Sequence, residues 1–511
     1  MWTNEANPWQ STHRARVLLI AQTGRFAGRF LLATMFLCLA QMASASAVIS
    51  NPGFEPSEKA DVPGWDVSTR GHVVRLDAAV RHSGKTSLRV ESGAEPRGSM
   101  VSQELLVPEL VVEGPLRLSG YIKSKGVDGT ATFFVIVEGP SGQLFQDDMR
   151  DRPVVGTTDW RAAEINIPRF AEATKVKVGA LVIGGGTAWF DSMELTSLDE
   201  DLSLSSNAKR YLDHAIEVMA KNSIKRQSID WDLLISQAYS VAGGAQTPQD
   251  TYPAIRFAVQ TLKDSHSSFM APENPDHPRL SERAKHSFVK ASRAGSIGYI
   301  NLPSFQNRGD LAVATQFIDS AHRAIEDVSN QGVCGWVVDL RENLGGNMWP
   351  MVAAIGPILG RGRIGGFYDP ITEARFEWWY ESGKAGMVSL EDGTRSTIVS
   401  ADGPPPGDIK APVAVLTSRQ TSSSGEGVAL AFRHRPGTHS FGQPTAGLAT
   451  ANRPFQLEDR AWINLTTMYM TDRRGNHYPD TVIPDEVVES SPSSDAALEA
   501  ANRWLAKHGC D

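Results

Sequence analysis

The segment "PVAVLTSRQTSSSGEGVALAF" (412–432) joins a strand-like run, a polar turn with three consecutive serines and a helix-like run. Its first part is continuously apolar, which is typical of a strand buried on both faces of a parallel sheet. A second such run, "GWVVDLREN" (335–343), precedes a Gly-Gly turn and the helix-like "MWPMVAAIGPIL" (348–359). Strands that alternate with helices in this way predict an α/β core over residues 286–509.

The part of the chain before this core falls into two further regions. Residues 48–198 contain short runs of alternating apolar and polar residues between Gly-, Pro-, Asp- and Ser-containing turns, which predicts an all-β sandwich. Residues 204–285 carry apolar residues at three- and four-residue spacing, which predicts a small helical region. Because 511 residues also exceed the length of one ordinary domain, we expect a multidomain protein.

Residues 1–47 have the pattern of an export signal. Several arginines precede the apolar stretch "FLLATMFLCLAQM" (30–42), and the small-residue run "ASASA" (43–47) offers a cleavage site. Because the apolar stretch is short for a bilayer span, we expect a cleaved signal peptide and an exported, periplasmic or secreted protein. An uncleaved membrane anchor is the alternative.

Charge and cysteine content narrow the class of protein further. The formal net charge is −8 and the chain has no lysine- or arginine-rich blocks, which argues against a nucleic-acid partner. Of the three cysteines, only Cys334 and Cys510 lie outside the signal. These two cysteines could form one disulfide, but they are too few for a disulfide-rich scaffold.

Three polar turns contain residue types that catalysis uses. A serine in the strand-to-helix turn would lie beside the free amides of a helix N-terminus, although serine also caps helices. The glycines of "DLRENLGGN" (339–347) can turn backbone amides toward a developing negative charge, although they also suit an ordinary tight turn. His266 in "LKDSHSSF" (262–269) is suited to accept a proton near neutral pH, although a loop histidine can simply be solvated.

Taken together and in this order, these features resemble a serine peptidase superfamily. It contains the C-terminal processing (tail-specific) proteases, the tricorn protease core and the interphotoreceptor retinoid-binding proteins. The resemblance extends over residues 204–489 and implies a peptidase core of the crotonase-like ββα type. The motifs that carry it are "L-x-D-x-H-S" (262–267), "GYINLPSF" (298–305), "DLRENLGG" (339–346), "TSSSGE" (421–426), "GQPTAG" (442–447) and "VIPDEVV" (482–488).

The resemblance implies roles for individual residues around the serine turn. The family's nucleophile stands three residues before the glutamate of its serine motif, which here is Glu426, so Ser423 is the expected nucleophile. The backbone amide of Ser424 and that of Gly345 or Gly346 would then bind the oxyanion.

The family divides over the base that accepts the serine proton. The tail-specific branch has a lysine at the position of Leu448, which has no basic group. The tricorn-like branch uses a histidine in the turn where this chain has His266, beside a serine that Ser265 matches. Tricorn adds a glutamate near the closing motif; this chain has none there, and Asp480 is the residue that we expect to orient the histidine.

The sandwich region has a resemblance of its own. Motifs such as "NPGFE" (51–55) and "GGGTAWFDSMEL" (184–195) resemble those of galactose-binding-like, jelly-roll carbohydrate-binding modules. This implies glycan binding as one role for the sandwich, with spacing or docking of the next domain as the alternative. It also makes Glu55 and Asp191 the positions at which to test for a structural calcium ion.

We therefore expect an exported serine peptidase that hydrolyses peptide bonds of a polypeptide substrate. The expected mechanism needs no metal ion and no organic cofactor. The alternative is a catalytically inactive ligand- or glycan-binding protein on the same fold, because the lysine and the closing glutamate are missing. A glycosidase would need two carboxylates that face one cleft, and the sequence offers no convincing pair.

Overall fold

The structure is a computed structural model of the chain. The signal peptide, residues 1–47, lies outside the described residues. None of the described helices is long and apolar enough to cross a membrane. The structure describes residues 49–58, 61–107, 114–198, 203–272, 288–306, 310–489 and 494–510.

The N-terminal region is a sandwich whose two layers share one long strand. This strand, β5 (Leu116–Gly139), pairs in its first half with β7 (Val154–Ile167) and β9 (Thr187–Ser197). Its second half pairs with β6 (Gly142–Asp147) and β8 (Lys175–Ile183). Because one face of each layer turns toward the core, the prediction of an all-β sandwich is confirmed. The remaining strands are β1 (Asp66–Arg70), β2 (His72–Asp77), β3 (Ser87–Ser92) and β4 (Gly98–Leu106).

Three helices follow the sandwich in the region predicted to be helical. They are α1 (Ser206–Asn222), α2 (Trp231–Val241) and α3 (Tyr252–Thr261). The side chains of Ser205 and Asp230 accept backbone N–H groups in the first turns of α1 and α2. These caps explain where the two helices begin.

The sandwich and the helices share one hydrophobic core. Phe257 of α3 packs against Phe145 and Phe170 of the sandwich, with ring centroids 5.8 and 6.1 Å apart. The buried side chains of Leu457 and Ile463 belong to the same core. The residues on the two sides of the predicted boundary between 198 and 204 therefore pack into one hydrophobic core.

The α/β core is built on a six-stranded sheet. Every residue of β13 (Gly335–Asp339) and β18 (Val413–Thr417) is buried, as the two continuous apolar runs predict for central parallel strands. The sheet order is β11 (Lys290–Ala294), β12 (Ile297–Asn301), β13, β18, β19 (Thr438–Gly442) and β22 (Glu486–Val487), with only the β11–β12 pair antiparallel. The helices of this part are α4 (Leu311–Ser329), α5 (Met348–Ala354), α6 (Gly356–Leu359), α7 (Ser424–Phe432) and α8 (Ala496–Lys507).

A second, antiparallel sheet joins the helical region to the α/β core. Its strand β21 (Trp462–Thr471) pairs with the short β10 (Ser268–Met270) and with β20 (Thr450–Gln456). The sheet therefore holds the chain that follows His266 close to the chain that follows Leu448. Its other strands are β14 (Gly362–Tyr368), β15 (Arg375–Glu381), β16 (Lys384–Ser389) and β17 (Arg395–Ser400).

The two cysteines left open by the sequence form a disulfide. Cys334, just before β13, is bonded to Cys510, just after α8, across a sequence separation of 176 residues. The bond ties the C-terminal helix to the parallel sheet, where α8 covers β18 and β19.

We expect this disulfide to stabilise the folded chain. A cross-link over a long loop restricts the unfolded chain and typically contributes about 2–5 kcal/mol. Thermal unfolding of the wild type should therefore occur at a lower temperature when a reductant is present. The variant Cys510→Ser should melt at the lower temperature with or without the reductant. A wild-type transition that the reductant leaves unchanged would contradict this prediction.

Candidate active site

Ser423 lies between β18 and α7 in a backbone conformation that is unusual for a residue with a side chain. Its φ is 53° and its ψ is −119°, immediately before the first residue of α7. Such conformations cost about 1–3 kcal/mol and persist only when the surrounding structure enforces them. The neighbours of Ser423 must therefore supply specific contacts.

Glu426 supplies the main contact. Its side chain is fully buried, and Oε2 accepts the N–H groups of Ser423 at 2.7 Å and Leu448 at 2.8 Å. Oε1 accepts the Thr445 hydroxyl at 2.5 Å and the Gly447 N–H at 3.0 Å. Burial raises the pKa of Glu426, and these hydrogen bonds oppose the rise. Both carboxylate oxygens are thus engaged in holding the turn.

The Gly-Gly turn packs directly against Ser423. Gly345 has a φ of +90°, and a Cβ on it would lie 2.8 Å from the Ser423 Cβ and 3.0 Å from the Ser424 nitrogen. Gly346 follows with a φ of +115°. Only glycine fits this close approach, since any side chain at 345 would collide with the serine turn.

The backbone amides of this contact have different partners. The Gly345 N–H donates to Asn343 Oδ1 at 2.9 Å, so it is already used within the turn. The N–H groups of Gly346 and Ser424 find no acceptor among the described residues. The Ser424 hydroxyl donates to the Gly346 carbonyl oxygen at 2.6 Å and holds the two segments together. Of the two glycines expected to bind an oxyanion, Gly346 is the one with its amide available.

Asn343 is a site residue that the sequence reasoning did not single out. It is fully buried, and its side-chain Nδ2 donates to the Leu302 carbonyl at 3.0 Å. Its backbone carbonyl accepts the Ser422 N–H at 3.0 Å. It thus fastens the Gly-Gly turn both to the sheet and to the serine turn. Its place within "DLRENLGG" is a signal from which this role could have been inferred.

His266 is held in a tight turn by its neighbours. Asp264 Oδ1 accepts the N–H groups of His266 at 3.2 Å and Ser267 at 2.6 Å, and the His266 carbonyl accepts Asn452 Nδ2 at 2.9 Å. The ring Nδ1 lies 2.7 Å from the hydroxyl of Thr450. The other nitrogen, Nε2, has no hydrogen-bond partner among the described residues. Burial lowers the pKa of the ring, and the charge of Asp264 opposes this in part.

Thr450 links the histidine to the serine turn. Its N–H donates to the Leu448 carbonyl at 2.7 Å, and the Leu448 N–H binds the same Glu426 oxygen as the Ser423 N–H. A short series of contacts thus runs from the His266 ring through Thr450 and Leu448 to Glu426 and Ser423.

Two residues expected at the site do not contact the histidine ring through their side chains. The side chains of Ser265 and Asp480 are exposed, and neither forms a hydrogen bond with His266 within the described ranges. The partner of Nδ1 is Thr450 rather than Asp480, because strand β20 brings the threonine hydroxyl to the ring. Nothing in the local pattern "AGLAT" (446–450) predicts this contact.

The sandwich places Glu55 and Asp191 side by side. A Cβ on Gly53 would lie 3.7 Å from Glu55 Oε1 and 4.0 Å from Asp191 Oδ1. Glu55 Oε2 is buried without a hydrogen-bond partner, whereas Asp191 accepts the N–H groups of His82 and Ser83. The described residues contain no group of three or more His, Cys, Asp or Glu suited to a metal. The pair could therefore hold a hard cation such as calcium only together with backbone oxygens, and it lies in the sandwich rather than at Ser423.

Comparisons with known proteins agree with this geometry. The family model "Peptidase family S41" matches residues 296–488, which include the Gly-Gly turn and the serine turn. The nisin-resistance protein of Lactococcus lactis subsp. lactis is 25% identical over 295 residues, which are 56% of this chain and 85% of that protein.

Two processing proteases match over shorter segments. Carboxyl-terminal-processing peptidase 2 of Arabidopsis thaliana chloroplasts is 26% identical over 232 residues, 45% of this chain and 38% of that protein. The carboxyl-terminal-processing protease of Synechocystis is 30% identical over 200 residues, 39% of each chain. This chain thus spans well under half the length of both. Residues 296–488 of the α/β core therefore form a domain of the peptidase family S41, a family of serine peptidases.

Proposed function

We propose that the chain is an exported peptidase in which Ser423 attacks the peptide carbonyl and His266 is the general base. The observation that carries this assignment is the contact of Gly345 with Ser423 and the Ser424 nitrogen. It places a nucleophile candidate, a helix N-terminus and a Gly-Gly turn within one small volume. An ordinary helix cap needs neither the positive φ of Ser423 nor the adjacent glycines.

The contact with Thr450 supports Nε2 as the ring nitrogen that acts. When Nδ1–H donates to the Thr450 hydroxyl oxygen, Nε2 carries the free lone pair. Nε2 takes the proton of the Ser423 hydroxyl as the serine oxygen bonds to the substrate carbonyl carbon. The ring then gives this proton to the leaving amine, and an acyl-enzyme remains. Water attacks the ester by the same route and regenerates the serine.

The available amides would stabilise the negative charge that develops on the carbonyl oxygen. The N–H groups of Gly346 and Ser424 are the proposed donors, and the macrodipole of α7 adds to their effect. The Gly345 amide is assigned to the turn because Asn343 already accepts it. Leu448 contributes its backbone to Glu426 but has no group that could replace the lysine of the tail-specific branch.

Two observations support export. The predicted signal peptide at 1–47 would direct the chain out of the cytoplasm. The disulfide between Cys334 and Cys510 suits an oxidising compartment such as the periplasm or the extracellular space. A polypeptide is the proposed substrate.

The competing proposal is an inactive ligand- or glycan-binding protein on the same fold. Among the sandwich tryptophans, Trp65 and Trp189 are buried, and the half-buried Trp160 packs against His82. Glycan binding would therefore depend on Trp160, since a sugar stacks on an accessible ring. Glycan retention by the full chain that is lost in Trp160→Ala, without peptidase activity, would favour this alternative.

The nucleophile can be tested with a fluorophosphonate probe, which labels activated serines. We expect the wild type to be labelled and Ser423→Ala to be unlabelled, because no other serine has this environment in the proposed mechanism. Ser422→Ala is the matched control, and it should keep its labelling. Labelling that survives in Ser423→Ala would exclude this serine, and an unlabelled wild type would favour the binding protein.

The base can be tested by its pH dependence. Burial lowers the pKa of His266 below its ordinary value of 6.5. Because only the neutral ring accepts a proton, activity is present above this lowered pKa and is lost as the pH falls through it. The acid limb of kcat/KM should therefore lie below pH 6.5, and His266→Ala should lose about 10²- to 10⁴-fold in kcat. An acid limb above 6.5, or a fully active His266→Ala, would contradict this assignment.

The orienting role of Thr450 can be tested by two substitutions of similar size. Thr450→Val removes the hydroxyl but keeps the shape, and we expect kcat to fall about five- to tenfold, in line with the loss of one neutral hydrogen bond. Thr450→Ser keeps the hydroxyl and should remain close to the wild type. Equal kcat values for the valine and serine variants would show that the hydroxyl does not orient the ring.

A further inference from the structure

Arg256 of α3 connects the sandwich to the strand that follows His266. Its Nε and one terminal nitrogen donate to the two carboxylate oxygens of Asp151, each at 2.5 Å. Its other terminal nitrogen donates to the carbonyl of Phe269 at 2.9 Å. Asp151 lies in the sandwich between β6 and β7, and Phe269 lies in β10, three residues beyond His266.

This ion pair is more deeply buried than an ordinary surface ion pair. The Asp151 side chain is 6% exposed and that of Arg256 is 22% exposed. A planar guanidinium that binds both carboxylate oxygens fixes direction as well as distance. The guanidinium also lies 5.2 Å from the centroid of the Phe269 ring. The geometry of the pair is therefore transmitted to the position of β10.

Strand β10 is short and lies at one end of its sheet. It is three residues long, stands at the end of its sheet and pairs with β21 alone among the described strands. Arg256 satisfies the carbonyl of its central residue on the side where the sheet offers no further strand. The turn with His266 immediately precedes this strand, so the position of β10 is one of the restraints on the histidine, beside the contacts of Asp264, Asn452 and Thr450.

The segments that follow the proposed base and the proposed nucleophile are buried in different hydrophobic cores. Phe269 and Phe257 are buried in the core that contains the sandwich. Val428 and Leu430 of α7, the helix that begins after Ser423, are buried in the core of the α/β region. The position of the histidine relative to the serine therefore depends in part on how the first core holds β10.

We propose that the β-sandwich is a positioning element of the peptidase, which places His266 through the Asp151–Arg256 pair. The inference rests on the proposed function of Ser423 and His266. It assigns the sandwich a part in catalysis that needs no glycan. Asp151 and Arg256 do not touch the reacting atoms and act through the histidine.

The test compares four full-length variants under identical conditions. Arg256→Gln and Asp151→Asn each remove one partner, and their double variant removes both. Arg152→Gln is the matched control. Arg152 is the residue after Asp151, but its own ion pair is with Asp147 of the sandwich, at 2.8 Å. Arg256→Lys keeps the charge without the two-pronged geometry and serves if the glutamine variant does not fold. Peptide hydrolysis, its pH profile, fluorophosphonate labelling of Ser423 and thermal unfolding are measured for each.

We expect kcat to fall about 10- to 100-fold in Arg256→Gln and Asp151→Asn, while KM changes less than about twofold, because a base misplaced by about 1 Å loses rate. The double variant should be no worse than the poorer single variant, since both substitutions break one unit. A looser, more hydrated ring should also move the acid limb of kcat to higher pH. Arg152→Gln should match the wild type.

Two outcomes would overturn the inference while leaving the proposed function intact. The first is folded Arg256 and Asp151 variants with wild-type kcat and an unchanged pH profile. The second is an equal loss in Arg152→Gln with no shift of the acid limb, which would mean that the sandwich contributes only stability. If the wild type itself is neither labelled at Ser423 nor active, the proposed function fails, and this inference fails with it.

Discussion

The buried carboxylate of Glu426 is the interaction on which the rest of the site depends. It accepts hydrogen bonds from two segments that are separate in the sequence. One segment contains Ser423, and the other contains Thr445, Gly447 and Leu448. A buried charge without such donors would cost several kcal/mol, so the surrounding backbone is organised around it. One side chain thereby holds Ser423 at a positive φ and fixes the chain that leads to Thr450. Glu426 therefore holds both Ser423, the proposed nucleophile, and the segment of Thr450, which contacts the proposed base His266.

The arrangement divides the peptidase between two bodies of packed residues. The serine turn and the Gly-Gly turn belong to the parallel sheet, whose central strands are buried on both faces. The histidine turn precedes β10, whose Phe269 is buried with the helices in the core of the sandwich, whereas Trp378 and Tyr380 of the antiparallel sheet are buried in the α/β core. Such a division makes the contacts between the two parts decisive. In the proposed mechanism, the Thr450 hydroxyl on Nδ1 and the Arg256 bond to Phe269 therefore matter for catalysis beside the reacting side chains.

The histidine of this chain has a neutral partner. A carboxylate beside Nδ1 would stabilise the protonated ring, whereas a threonine hydroxyl, which can donate or accept, mainly holds the orientation of the ring. Burial lowers the pKa of His266, which favours the neutral ring. The proposed base would therefore be in the form that accepts a proton, with less stabilisation of the charge that the transfer creates. Leu448 stands where the resemblance to the tail-specific branch would place a lysine, so a base in this chain has to come from another residue, and His266 is the one proposed.

The sequence by itself determined the elements of the core and the residues that stand at their ends. Continuous apolar runs identify strands buried on both faces, and the spacing of Ser423 from Glu426 and the paired glycines identify the turns that follow them. The sequence suggested Asp480 as the orienting residue, and it gave no sign that the sandwich and the helices share a core. Both points depend on contacts between residues far apart in the chain: Thr450 reaches His266 only because β20 and β10 flank β21, and Asp151 reaches Arg256 only because α3 packs on the sandwich. Local patterns report the burial and turns of single segments, whereas the partner of a polar atom is set by which segments the folded core brings together.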